Sequence, residues 1–238
     1  MLELERDGGV ARVFLDRPRN ANALDSALLE RLAEALERLA GDQSLRAVVL
    51  GGRGKSFCGG ADLAELQRLE ADSAREFILR VHRACAAARG LPVPVVARLH
   101  GAVIGAGLEL AAACDLRIAA HGTRFAMPEV RLGIPSVVEA ALLPRLVGSG
   151  RAAWLVLTGE AIDAERACQW GLVEATCPAG ELDAVVARTL ASLLAGDREA
   201  LRAQKKLLQL WQEAPLATSI AESVERFSQA YARRRTLL

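Results

Sequence analysis

Residues 95–119 read VVARLHGAVIGAGLELAAACDLRIA. Val95–Leu99 is an apolar, β-branched run framed by Pro92 and Pro94 and reads as a strand. The glycine-rich passage HGAVIGAG then leads into a helix that carries Glu109, and Asp115–Ala119 is extended again. Strand, helix and strand in this order imply an α/β fold with much parallel pairing, because parallel neighbours need a crossover between them. The same stretch sets a chemical problem. Glu109 lies among glycine, alanine and leucine, where taking an unpaired carboxylate out of water costs several kcal/mol.

Working outward, the alternation continues. Val10–Leu15 reads as a strand, Asp25 as an N-cap, and Leu28, Leu32, Leu36 and Leu39 form an apolar stripe at helical spacing. Arg46–Leu50 reads as a second strand, and the loop GGRGKSFCGGAD leads from it into helices over 63–69 and 73–89. Arg124–Met127 is extended. From Glu181 onward strand signals vanish and three helical segments remain, the last with Ile220, Val224, Phe227 and Tyr231 on one face. Such a stripe reads first as ordinary core, with a subunit interface as the alternative, since both bury the same face. Trp154, Trp170 and Trp211 also read as core.

Composition narrows the class. With 238 residues and 52% apolar content the chain can fill a sizeable core. Lys and Arg number 30 against 29 Asp and Glu, so no overall field draws the protein to nucleic acid or an anionic membrane. Cysteines at 58, 85, 114, 168 and 177 form no CxxC pair and leave an odd one over, which argues against a disulfide framework or a zinc site and suits a reducing, cytoplasmic setting. The charged start MLELERDGG is unlike a signal peptide, and nowhere do eighteen apolar residues run together.

Two loops invite a phosphate-binding reading and fail it. VVLGGRGKS offers Gly54-Lys55-Ser56 after a strand, but the pattern GxxxxGK[ST] needs glycine where Val49 stands. GAVIGAG has its glycines at the wrong intervals for GxGxxG. What remains is a pair of junctions, Phe57–Asp62 and Ile104–Glu109, each following a strand. Small residues at a helix start let a ligand approach and leave N–H groups free to donate; tight turns and close packing are the structural alternative. Glu109 lies one helical turn past Gly105 and Ala106, where the helix dipole lowers its pKa and desolvation raises it. A second acid, Glu129, follows in FAMPEVRLGIPS. Two carboxyls beside two backbone donors can move protons next to an oxyanion.

The segments FCGGADL, HGAVIGAGLELAAACDLRIA and FAMPEVRLGIP, with RPRNANAL (Arg17–Leu24) and LTGEAIDAERACQWGLV (Leu157–Val173), resemble the enoyl-CoA hydratase/isomerase, or crotonase, family over almost the whole chain. The resemblance implies an α/β spiral of ββα units over residues 1–180 and a helical C-terminal region over 181–238 used for trimer formation, often as a dimer of trimers. It implies an acyl-CoA substrate, with coenzyme A as part of that substrate and no separate cofactor, and oxyanion-hole donors at Gly59 and Ala106. Coenzyme contacts would fall on Lys55, Gly60, Ala61 and Asp62, with Asn22, Ala23 and Leu24 beside them. Retention of both Glu109 and Glu129 favours hydration of a trans-2-enoyl-CoA, a step of fatty-acid β-oxidation. Glu109 would deprotonate the attacking water, and Glu129 would orient it and protonate the α-carbon.

Three departures qualify the resemblance. Ala106 stands where hydratases carry glycine, which keeps the N–H and adds a methyl. The glycine-rich segment that often follows the second acid is replaced by PSVVEAALLPRL, so Val137, Val138 and Glu139 would narrow the acyl wall and add a third carboxylate. The chain stops at ARRRTLL, short of a segment that members often close over the coenzyme; the basic run Arg233–Arg235 reads as a solvated end, with phosphate contact as the alternative. Isomerisation, thioester hydrolysis or a silent acyl-CoA-binding subunit are the competing functions. Cys58 reads as structural filler, Asp62 as a helix cap, and His82, His100 and His121 have no metal spacing and no assigned role.

Overall fold

The computed structural model describes residues 1–235; the side chains of Arg234 and Arg235, and Thr236–Leu238, lie outside the described residues. The chain runs β1 (Leu2–Asp7), β2 (Val10–Leu15), α1 (Ser26–Ala40), β3 (Ala47–Gly52), α2 (Leu63–Leu66), α3 (Ala71–Gly90), β4 (Val95–Leu99), β5 (Ala102–Ile104), α4 (Ala106–Ala112), β6 (Leu116–Ala120) and β7 (Arg124–Ala126). It continues with α5 (Leu143–Val147), α6 (Ser149–Thr158), β8 (Ile162–Asp163), α7 (Ala164–Trp170), β9 (Ala175–Cys177), α8 (Leu182–Ala195), α9 (Arg198–Glu213) and α10 (Leu216–Arg235). The main sheet has the order β1-β2-β3-β4-β6-β9, antiparallel only at its first pair.

The parallel strands are covered on both faces, as their continuous apolar sequences require. Alternate residues divide between two cores. Val48 and Leu50 join Leu29, Leu32 and Leu36 of α1 and Val81 of α3 on one side, while Val49, Val96 and Ile118 meet Leu182, Val186 and Leu190 of α8 on the other. Asp25 caps α1, accepting from the Leu28 N–H at 2.8 Å. α3 begins at Ala71, two residues before the expected start, because Ser73 Oγ accepts from the Glu70 N–H at 2.9 Å and so caps an earlier turn.

β1 and β5 are among the strands that escape the apolar pattern. β1 reads LELERD and pairs with β2 across a Gly8-Gly9 turn, four of its six residues exposed. β5 lies within the glycine-rich passage after β4 and belongs to a second, small sheet of order β5-β7-β8. This strand positions the site. The Cys58 N–H donates to Ala102 O at 2.9 Å and the Ile104 N–H to Cys58 O at 3.1 Å on one edge, while the Gly105 N–H donates to Ala126 O at 2.9 Å on the other. The 57–62 junction, the start of α4 and the end of β7 are thereby held side by side.

The C-terminal stripe is not core within this chain. Leu216, Ile220, Val224, Phe227 and Tyr231 are each more than half exposed, and the Phe227 and Tyr231 rings stack 4.9 Å apart on the surface of α10. Trp154 and Trp211 are also exposed, and Trp170 is half-buried beneath the Arg166 guanidinium at 4.9 Å. Amphipathic spacing reports that a face is apolar, not what covers it. Among the described residues no helix is long and apolar enough to cross a membrane.

Candidate active site

The two junctions open onto one cavity of about 650 Å³. Gly59, Gly60 and Ala61 line it from the first, Gly105, Ala106 and Glu109 from the second, and Glu129 from the single-turn segment Glu129–Leu132 after β7. The rest of the wall is largely apolar, built from Leu63, Leu66 and Leu69 around α2, Phe77, Ile78 and Val81 of α3, and Leu132, Ile134 and Val137. Arg75 and Arg131 also reach it.

Glycine is required at two points of the second junction. Gly105 holds φ +51° as N-cap of α4, and a Cβ there would collide with Glu129 Oε1. Gly107 packs against Cys58, whose Cβ lies 2.7 Å from where a Gly107 Cβ would be. The first glycine admits the second acid to the helix start; the other lets α4 press against the first junction.

Glu109 is 4% exposed, and Oε1 accepts the Ala140 N–H at 3.1 Å. Burial dominates its ionisation and pushes its pKa up to about 8; the Ala140 N–H opposes the shift, and the charges of Glu129 and Glu139 add to it. Desolvation therefore outweighs the short helix's dipole. Glu129 is half-buried, with Oε2 accepting from Ser136 Oγ at 2.8 Å.

The two expected backbone donors differ. Ala106 is the first residue of α4, and its N–H has no hydrogen-bond partner among the described residues, as the first turn of a helix dictates. The Gly59 N–H is engaged: it donates to Ala21 O at 2.7 Å. The pair expected from the sequence is thus half open, because Ala21, at φ +50°, turns its carbonyl onto the first donor.

The residues expected to touch coenzyme A separate in the same way. Gly60 and Ala61 line the cavity; Asn22, Ala23, Leu24, Lys55 and Asp62 do not. Asn22 is fully buried, its Oδ1 accepting the Arg17 N–H at 2.8 Å and its Nδ2 donating to Arg53 O at 2.9 Å and Ser56 O at 2.7 Å. Leu24 is in the core, and its N–H donates to Gly60 O. Asp62 caps α2 through the Ala64 N–H and pairs with Arg17 Nη2 at 3.1 Å. Ala23 O receives Arg17 Nη1 at 2.6 Å, and Lys55 is exposed on a turn. These groups build the loop.

The acyl wall also needs correction. Val137 lines the cavity, but Val138 and Glu139 do not. Val138 takes φ +41° and packs on the core, which turns Glu139 behind Glu109 onto His82, with Nδ1 and Oε1 2.7 Å apart. His82, Ser136 and the Ala140 N–H had no signal in the sequence. Cys58 is fully buried, and burial pushes its thiol up to about 12, as suits filler rather than a nucleophile.

Known proteins give this geometry a context. The family model for enoyl-CoA hydratase/isomerase matches residues 5–236. The chain is 32% identical over 230 residues to the short-chain-enoyl-CoA hydratase of Clostridium acetobutylicum, covering 96% of this chain and 88% of that protein. It is 33% identical over 213 residues to the trans-2-decenoyl-[acyl-carrier-protein] isomerase of Streptococcus mutans, covering 87% and 80%. The crystal structure of enoyl-CoA hydratase from Mycobacterium smegmatis superposes with a TM-score of 0.94 at 33% identity, covering 96% of this chain and 90% of that one.

Proposed function

The chain belongs to the enoyl-CoA hydratase/isomerase family and has its crotonase fold, and from that premise we propose that it adds water across the 2,3 double bond of a trans-2-enoyl-CoA. The observation that carries this reading is the convergence of Glu109 and Glu129 on one apolar cavity beside the unpartnered Ala106 N–H.

In the proposed reaction the thioester oxygen accepts from the Ala106 N–H, and charge builds on it as water attacks the β-carbon. A donor so placed is worth about 100- to 1,000-fold in rate. Glu109 in its ionised form, whose share grows as pH rises toward 8, takes a proton from the water as the water oxygen bonds to carbon. Glu129, steered by Ser136, passes a proton to the α-carbon. The product is a 3-hydroxyacyl thioester, with the acids' protonation reset by solvent. Such acid–base help adds about 100- to 10,000-fold. The Gly59 N–H becomes the second donor by leaving or sharing the Ala21 carbonyl when the thioester arrives.

The largely apolar wall supports an apolar acyl chain. The exposed face of α10 supports assembly through residues 181–238 into a trimer or a dimer of trimers. Isomerisation is the second reading, favoured by the depth of Glu109's burial, since a carboxyl that gives and takes protons near neutral pH can carry one between α- and γ-carbons.

Incubation with crotonyl-CoA and a medium-chain 2-enoyl-CoA tests the proposal: the conjugated thioester absorbance should fall as product heavier by one water appears. No turnover of either overturns hydration, and unchanged turnover by Glu129→Gln overturns the role given to that acid. Conversion of a 3-enoyl-CoA to the 2-enoyl isomer without hydration would favour the second reading.

A further inference from the structure

Behind the site lies a buried carboxyl that the reaction just described does not use. Glu139 comes from the turn Val138–Leu142, its side chain 9% exposed. One oxygen is bonded to His82 Nδ1; the other is buried without a hydrogen-bond partner among the described residues. The next residue in the chain supplies the Ala140 N–H that meets Glu109 Oε1. The residue before, Val138, holds φ +41°, a conformation a β-branched side chain adopts only where its surroundings force it. A strained turn, an anchoring hydrogen bond to His82 and the sole polar contact found for the Glu109 carboxyl among the described residues therefore fall within three consecutive residues.

We propose that Glu139, anchored by His82, is a positioning residue for Glu109: the pair holds the turn so that the Ala140 N–H meets the Glu109 carboxyl, and it sets a second negative group behind that carboxyl. His82 projects from α3 with its side chain 54% exposed, so the anchor reaches solvent while the carboxyl it holds does not. The groups facing Glu139 are His82, Cys85 and Arg89 from α3 and Glu109 from α4, with Glu129 acting on Glu109 from across the cavity. Of these, the Glu139 charge opposes ionisation of Glu109, while the Ala140 N–H favours it. The geometry thus gives one side chain two opposed influences on the same acid, one through the backbone and one through space.

The inference rests on the hydratase reading only for its kinetic readout. Glutamate labelled with ¹³C at its carboxyl carbon, followed by difference infrared spectroscopy against pH, reports the Glu109 titration whether or not the protein turns over any thioester; Glu109→Gln identifies the band. Glu139→Gln, which keeps the shape and removes the charge, should move that titration to lower pH than the wild-type midpoint near 8. A turn residue with a merely structural role would leave it in place. His82→Ala should lower kcat about 2- to 10-fold with KM held, the loss expected when one hydrogen bond to a reacting group is weakened. His82→Asn, which can return a donor near the Nδ1 position, should restore most of it. A Glu109 titration unmoved in Glu139→Gln overturns the proposal. So does His82→Ala with wild-type kcat and titration, and that variant, altered at a half-exposed side chain, serves even if Glu139→Gln fails to fold. Wild-type protein inactive on enoyl-CoA overturns the hydratase reading instead, and leaves the infrared titration to decide the positioning pair.

Discussion

The junctions 57–62 and 104–109 look alike in sequence and are bonded edge to edge, yet they dispose of their polar groups in opposite ways. At the first, nearly everything polar is consumed internally: the Gly59 N–H by Ala21, the Asp62 carboxylate by the α2 cap and Arg17, and the Asn22 amide by three backbone groups beneath. At the second, the Ala106 N–H is open and a carboxyl is buried against one amide. Small residues at a helix start thus permit two outcomes. A loop that must hold its own shape spends its hydrogen bonds on itself, whereas a short helix docked against it leaves its first-turn donors to whatever occupies the cavity. Substitutions in the first junction should register in stability, and those in the second in rate.

The largest effect should come from Ala106→Pro. Proline is well suited to the first position of a helix, so α4 should survive while its open donor is deleted. Catalysis should fall about 100- to 1,000-fold, the scale of one lost oxyanion contact, with the thermal midpoint within a few degrees of wild type and binding of a saturated acyl-CoA still detectable by calorimetry. Wild-type turnover in this variant would mean that the second junction is as self-satisfied as the first.

Next in size is Asn22→Ala. It strips partners from the Arg17 N–H and from the Arg53 and Ser56 carbonyls, and puts alanine at φ +57°, where asparagine is tolerated far better. A buried group left unpaired costs about 1–3 kcal/mol. Even with water rescuing one of them, a loss of about 3 kcal/mol lowers the melting midpoint by roughly 6–12 °C in a chain of this size. Differential scanning calorimetry without any substrate reads it. An unchanged midpoint would show that the loop does not depend on its internal bonds.

What could be read from the sequence follows the same division. Strand and helix periodicity located β2, α1, β4 and the three terminal helices, because in each an apolar face meets a core. β1, β5, β8 and β9 were missed: β1 is an edge strand mostly in solvent, and the other three are two or three residues long, β5 inside a glycine passage, held by hydrogen bonds that leave no trace in composition. Residue type identified the acids Glu109 and Glu129, since a carboxyl among apolar neighbours needs a reason. It could not say that Asn22 and Leu24 point inward, that Ala21 covers one donor, or that Val138 turns Glu139 away from the acyl wall. Those depend on individual φ angles, which a run such as PSVVEAALL does not encode in any period.

The last effect has the opposite sign from that of Asn22→Ala, grows with pH, and tests the thermodynamic side of the comparison. Glu109→Gln removes the group on which the proposed chemistry depends but keeps an oxygen to accept the Ala140 N–H. In the folded protein the Glu109 pKa is raised from 4.5 to about 8, chiefly by burial. Below about pH 4.5 the acid is protonated in both folded and unfolded chains and costs nothing. As pH rises toward 8 the unfolded chain releases the proton while the folded one retains it, so stability is lost progressively across that window, and above it the folded protein carries a buried charge. Glutamine has no proton to lose. The melting midpoint of Glu109→Gln should match wild type near pH 4.5, rise above it through neutrality and level off beyond about pH 8, at about 2–4 °C for each kcal/mol recovered. A constant difference at every pH would mean that the carboxyl is solvated, and that α4 keeps its polar groups no more exposed to desolvation than the loop it packs against.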